Sequence, residues 1–137
     1  YMACLAALEE TIAEARDISL LTEFADELSD AIATLKQVTE FLLGSMMEKN
    51  IDLVLANSVK YLDLFGNVVI AWIWLKQGVV AARALEGSPH ETDEKFYRGK
   101  LQAMRYFFRY ELPEIGPWAK LLMDLDATTY EMAVDWF

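Results

Sequence analysis

The sequence predicts an all-α fold: an antiparallel helical bundle of three long helices and one or two short ones. Three observations carry this. Hydrophobic residues make up 55% of the 137 residues, above the usual ~45–50%. Only six glycines and three prolines interrupt them, and few breakers in an apolar chain favour long helices over many short strands. The apolar residues also recur in steps of three and four, the period of a helix with one face turned to a core. The length suits a single domain with a core of its own.

The first helix is expected over 2–16, where Leu5, Leu8, Ile12 and Ala15 share a face and Glu9, Glu10 and Glu14 fall between them. Asp17 and Ser19 are candidate caps for the second helix, expected over 21–49. Its stripe of Phe24, Leu28, Ile32, Leu35, Val38, Leu42 and Met46 is the clearest amphipathic pattern in the chain, with Glu23, Asp26, Glu27, Asp30 and Glu40 mostly opposite. Asn50 then breaks the pattern, and Asp52 starts a third helix over 52–85. It carries two apolar stripes. One is Leu55, Val59, Leu62, Gly66, Val69, Ile70, Ile73, Val80 and Ala84; the other is Tyr61, Phe65, Val68, Trp72, Leu75 and Val79. A helix apolar on two faces must be covered on two faces, so this one is the central helix or turns one face to another domain. Gly66 and Gly78 weaken it by ~1 kcal/mol each relative to alanine, unless they permit close helix packing.

Glu86, Gly87, Ser88 and Pro89 read as a stop and a loop. Thr92 or Asp93 is expected to cap a fourth helix over 93–112, with Phe96, Gly99, Ala103 and Phe107 on its inner side. Pro113 opens a new turn, and a short fifth helix is expected over 114–123. Residues 1–123 thus form the bundle domain. The tail over 124–137 keeps Tyr130, Val134 and Phe137 at helical spacing, the pattern of a last short helix. A chain starting at Tyr1 is expected to be a fragment or a processed piece.

The formal charge is −10. Residues 1–63 hold 12 acids and 4 bases, while residues 64–137 hold 10 acids and 8 bases. Nucleic-acid phosphates and anionic lipid repel such a chain, so neither is an expected partner. The most apolar run, Val68–Leu75, ends at Lys76 and Gln77. It is far short of the ~20 residues of a membrane span and reads as core. The single cysteine, Cys4, permits no intrachain disulfide and suits a reducing cytoplasm.

Catalytic chemistry has little to build on. The lone histidine, His90, sits in the loop beside Pro89, and neither a second histidine nor a His-Glu-x-x-His spacing exists for a metal or triad. Cys4 has no basic neighbour in sequence to make a thiolate. Carboxylate pairs such as Glu9/Glu10 and Asp26/Glu27 lie on outer faces, without the Glu-x-x-His of di-iron bundles. No Gly-x-Gly-x-x-Gly or Walker loop occurs.

Three groups are less bland. Lys95, Arg98, Arg105 and Arg109 fall within about 80° of arc on one helical face. They form either a solvated face paired with acids of a neighbouring helix or a contact for another domain or a cofactor phosphate. Tyr61, Phe65 and Trp72 are either core or a docking face. Lys100 projects between Phe96 and Phe107, where a buried ammonium needs a carboxylate; Asp63 is the candidate.

Several of these residues match a family pattern. Tyr61, Leu62, Leu64, Phe65 and Gly66 are succeeded about thirty residues later by Phe96-Tyr97-x-Gly99-Lys100, then by Ala103-x-Arg105-Tyr106-Phe107 and Leu112-Pro113. This resembles the C-terminal domain appended to large acyl-CoA dehydrogenases of the methylthiopropanoyl-CoA dehydrogenase-like group, over roughly residues 5–123. The resemblance implies a non-catalytic accessory bundle that packs on the dehydrogenase body of the same polypeptide or on a neighbouring subunit. That body would bind FAD and acyl-CoA and supply the catalytic glutamate, so no catalytic, cofactor-binding or metal residue is expected in this chain. The alternative is a free-standing helical interaction module.

Overall fold

The computed structural model describes residues 2–48 and 51–136. Tyr1, Lys49, Asn50 and Phe137 lie outside the described residues, and with them the end of the second helix, the break at Asn50 and the last position of the tail pattern. Among the described residues six α-helices run in order: α1 (Met2–Arg16), α2 (Thr22–Met47), α3 (Ile51–Ala56), α4 (Ser58–Glu86), α5 (Glu91–Tyr106) and α6 (Ile115–Met123). No strand occurs among those residues, and the all-α bundle is what the sequence predicts.

Helices α2 and α4 form the centre. α4 packs against α1, α2, α5 and α6, and α2 also packs against α1 and α6. The core is built from Leu8, Ile12 and Ala15 of α1, Leu28, Leu35 and Val38 of α2, and Leu64, Val68, Ala71 and Leu75 of α4, all essentially removed from water. Burying one such leucine fully contributes about 1.5–3 kcal/mol, so these stripes hold the bundle together.

The long third helix is in fact two. The chain bends at Asn57, with φ −114° and ψ 23°. The buried Asn57 side chain donates from Nδ2 to the Asp126 carbonyl at 2.7 Å, while its own carbonyl accepts from the Lys60 and Tyr61 amides. Thr129 Oγ1 donates to the Ala56 carbonyl at 3.3 Å. The break therefore seats the tail. An asparagine just before a helical pattern is a helix-start signal, but the apolar period runs through this one and masks it.

The fourth helix begins at Glu91, earlier than expected. Its N-cap is His90, whose Nδ1 accepts from the Thr92 amide; neither Thr92 nor Asp93 caps it. It ends in a π-helical turn, Phe107–Glu111, and then a 3-10 turn, Leu112–Glu114. Pro113 has no N–H to continue an α-helix, and its ring would press on the carbonyl four residues back. The turn widens accordingly, and the Leu112 amide donates to the Phe107 carbonyl five residues back. Asn67 of α4 donates to the Glu111 carbonyl at 3.0 Å and pins this turn.

The inner face of α5 also differs from expectation. Met104 and Phe108 are buried and Leu101 packs against the core, whereas Phe96 and Gly99 are exposed and Ala103 and Phe107 only half-buried. Gly78 sets this rotation: a Cβ there would overlap Met104 Sδ, so α5 approaches α4 where a side chain is missing. Gly66 has open space around its missing Cβ and serves no such contact. The tail forms turns and one 3-10 turn, Val134–Trp136, rather than a short α-helix.

Urea unfolding of the chain tests both glycines. Gly66→Ala should raise stability by about 1 kcal/mol, the helix-propensity difference, while Gly78→Leu should lower it by about 1–3 kcal/mol through overpacking against Met104. Asn57→Ala should cost about 1 kcal/mol for the lost hydrogen bond and make residues 124–136 more sensitive to limited proteolysis at unchanged helical circular dichroism. Equal resistance to protease would show that Asn57 does not hold the tail.

Candidate functional site

The basic residues of the α5 side are largely engaged within the chain. Lys95 meets Glu91 at 2.6 Å and Arg98 meets Glu94 at 2.8 Å, each one helical turn apart. Arg109 reaches across to α2: Nη1 donates to Glu27 at 2.7 Å and Nη2 to Glu23 at 2.6 Å, with the guanidinium 5.7 Å from the Phe24 ring centroid. Arg105 forms no ion pair among the described residues and lies beside a shallow groove with Arg98, Glu23 and Leu20. Of the four, Lys95 and Arg98 pair within their own helix and Arg109 pairs with the neighbouring α2.

The Glu27 carboxyl is pushed above the ordinary glutamate range, chiefly because it is partly buried; Arg109 opposes the shift and Glu23 adds to it. The Arg109 guanidinium is pushed up, first by its hydrogen bond to Glu23 and then by the charges of Glu27 and Glu23. At Glu27, burial outweighs the favourable cation. A raised carboxyl pKa means that the folded state holds its proton more tightly than the unfolded chain does. Its contribution is thus greatest at low pH and is lost as pH rises through the folded value.

Tyr61, Phe65 and Trp72 are half-buried and pack against the core. Tyr61 and Trp72 share one arrangement. Trp72 Nε1 donates to Thr11 Oγ1 at 2.8 Å, and Thr11 Oγ1 donates in turn to the Ala7 carbonyl. Thr39 Oγ1 likewise donates to the Leu35 carbonyl at 2.7 Å, so the Tyr61 hydroxyl, 2.9 Å away, is the donor to Thr39. Each threonine turns an aromatic of α4 into an anchor for α1 or α2.

Lys100 and Asp63 are not brought together. Asp63 accepts from Lys60 at 3.0 Å, and both are partly exposed. Lys100 is half-buried and lies over the rings of Trp74 and Phe96, at 5.7 and 5.5 Å from their centroids. Because α5 is rotated, Lys100 sits at the edge of the core, where aromatic faces and water meet its charge and no carboxylate is needed. Cys4 is half-buried against the core, and His90 is an exposed cap. Among the described residues no three histidine, cysteine or acidic side chains converge on a point that could hold a metal.

The surface feature with no internal explanation is the outer side of α4. Val59, Leu62, Ile70, Ile73 and Val80 are all exposed, Leu62 at 68% and Val80 at 61%. They fall within about 80° of arc, opposite the buried Leu64, Val68 and Leu75. Phe96 of α5, itself exposed, adjoins them: Ile73, Val80, Phe96, Lys76 and Lys100 line one shallow groove. α4 is also long and apolar enough, by length and composition, to cross a bilayer, yet its inner face is packed by four other helices. Sequence reasoning saw both stripes; it did not say which would stay open.

Fold and surface together define an all-helical module that joins charged faces internally and leaves an apolar one uncovered. The chain belongs to the acetyl-CoA dehydrogenase C-terminal-like family, whose model matches residues 4–133. It is also similar, with 26% identity over 110 residues, to the broad-specificity linear acyl-CoA dehydrogenase FadE5 of Mycobacterium tuberculosis. That match takes in 77% of this chain and 18% of the relative, so the chain spans less than a fifth of the curated protein it resembles. The family match runs past Met123, where the resemblance was expected to end, through the segment that Asn57 and Ala56 hold in place.

Arg109→Gln removes the cation that offsets the burial of Glu27. The resulting loss in melting temperature should be larger at pH 7 than at pH 4, because protonation of the Glu27 carboxyl, which its raised pKa favours, removes the charge that Arg109 meets. A loss that is equal at the two pH values would show that the Arg109 bridge does not act through the Glu27 charge. Lys95→Gln with Arg98→Gln should change stability by no more than about 0.3–0.5 kcal/mol per pair.

Proposed function

We propose that this chain is the non-catalytic C-terminal accessory domain of an FAD-dependent acyl-CoA dehydrogenase, packing on the dehydrogenase body of its own polypeptide or on a neighbouring subunit, in the cytoplasm. The observation that carries the reading is the family match over nearly the whole chain. The similarity to a long acyl-CoA dehydrogenase, of which this chain corresponds to a small part, supports it. The described residues do not fit a flavin site of their own. Lys95, Arg98 and Arg109 already hold carboxylates at hydrogen-bond distance, and the helix starts lack the glycine-rich turn that lets a backbone approach a pyrophosphate. The flavin, the acyl-CoA and the base that removes the α-proton are assigned to the body. The residues singled out in the sequence as interdomain contacts divide under this reading. Arg105 keeps a charge available to a partner, while Tyr61, Phe65 and Trp72 act inside the bundle.

The test is made on the isolated chain and on the full-length polypeptide that contains it. The isolated chain should be colourless and inactive with acyl-CoA, and the full-length protein should show a flavin spectrum bleached by acyl-CoA. A flavin spectrum in the isolated chain would overturn the reading. A gene encoding nothing beyond this chain would favour the free-standing interaction module.

A further inference from the structure

The outer face of α4 demands an occupant. Five large aliphatic side chains in one stripe, with Phe96 beside them, stand in water on a helix whose opposite face is covered. Scattered exposed apolar residues are ordinary, but a contiguous apolar stripe marks an interaction surface. We propose that this face, made by Val59, Leu62, Ile70, Ile73 and Val80 of α4 with Phe96 of α5, docks against an apolar surface rimmed by carboxylates on the dehydrogenase body of the same polypeptide. The proposal rests on the accessory-domain reading above and names the face and the chemistry of its partner.

Charge supplies the second part of the argument. Among the described lysines, Lys36, Lys60, Lys95 and Lys120 each meet a carboxylate. Lys76 and Lys100 meet none among the described residues: Lys76 lies over Trp72 at 5.4 Å and Lys100 over Trp74 and Phe96. In a chain of net charge −10, these two lysines both line the open apolar groove, one over Trp72 and the other over Trp74. A partner with carboxylates at its rim would complete them, giving an apolar centre with a complementary polar border. A second copy of this face would bring the same cations towards like charge. The other cationic side offers less, because Lys95, Arg98 and Arg109 are already paired within the chain. A body in the same polypeptide also meets this face at high effective concentration, so a patch of modest size suffices.

The experiment uses the full-length polypeptide. Photoreactive benzoylphenylalanine is placed at Leu62, at Val80 or, as a control, at the exposed Glu10 of α1, and crosslinks are mapped by mass spectrometry. The expected result is crosslinks from 62 and 80, within one polypeptide, to segments outside residues 1–137, their yield falling several-fold when Lys76→Glu and Lys100→Glu are added, with none from position 10. Crosslinks to the body from position 10 but not from 62 or 80 would overturn the proposal and leave the accessory reading standing. Crosslinks from 62 or 80 between two copies would assign the face to self-association and overturn it. Flotation of the protein with phosphatidylglycerol vesicles, without protein crosslinks at 62 or 80, would overturn it in favour of a membrane surface. A full-length protein that binds no flavin and crosslinks from neither 62 nor 80 would overturn both readings.

Discussion

A helix apolar on two opposite faces cannot be satisfied by a bundle that covers one of them. That constraint organises this structure. α4 runs for 29 residues with Leu64, Val68, Ala71 and Leu75 on one side and Val59, Leu62, Ile73 and Val80 on the other. α1, α2, α5 and α6 all pack onto it, yet they cover only the first side. Burial of the inner stripe drives the domain to fold. The outer stripe contributes nothing to that and is where the chain has hydrophobic energy left to gain.

The remaining devices hold the cover in place around α4. Thr11 and Thr39 accept hydrogen bonds from Trp72 and Tyr61, which satisfies the polar ends of two large rings without admitting a charge to the interior. Gly78 lets α5 approach closely enough for Met104 to fill the gap. Arg109 ties the π-helical turn to two glutamates of α2. That bridge works at the surface and has a modest effect, but with the Lys95 and Arg98 pairs it engages three of the four cations on the α5 side. The distribution of ion pairs therefore separates a side closed on itself from a side still open.

The family relation fits this division of labour. The chain belongs with acyl-CoA dehydrogenase C-terminal-like domains, and under the accessory reading proposed above a stable interior and an open surface are what it supplies. The tail belongs to the same unit, since the side chain at the Asn57 bend donates to the Asp126 carbonyl and the family match extends through residue 133.

The helices themselves were legible in the sequence, because a period of three and four states which residues can share a face. The stripe from Phe24 to Leu42 names the buried side of α2 without further help, and Pro113 marks the end of the fourth helix through its missing N–H. The sequence could not choose between competing faces. On α5 the Phe96 to Phe107 stripe and the Leu101 to Phe108 stripe are both apolar, and only the close approach at Gly78 decided for the second. The pairing of Arg109 with Glu23 and Glu27 joins residues more than eighty positions apart, for which local spacing holds no signal. Nor does a run of apolar residues reveal which of its sides neighbours will cover. That depends on how many helices reach α4 and from where, so only the tertiary structure shows that Val59, Leu62, Ile70, Ile73 and Val80 are the side left to the solvent.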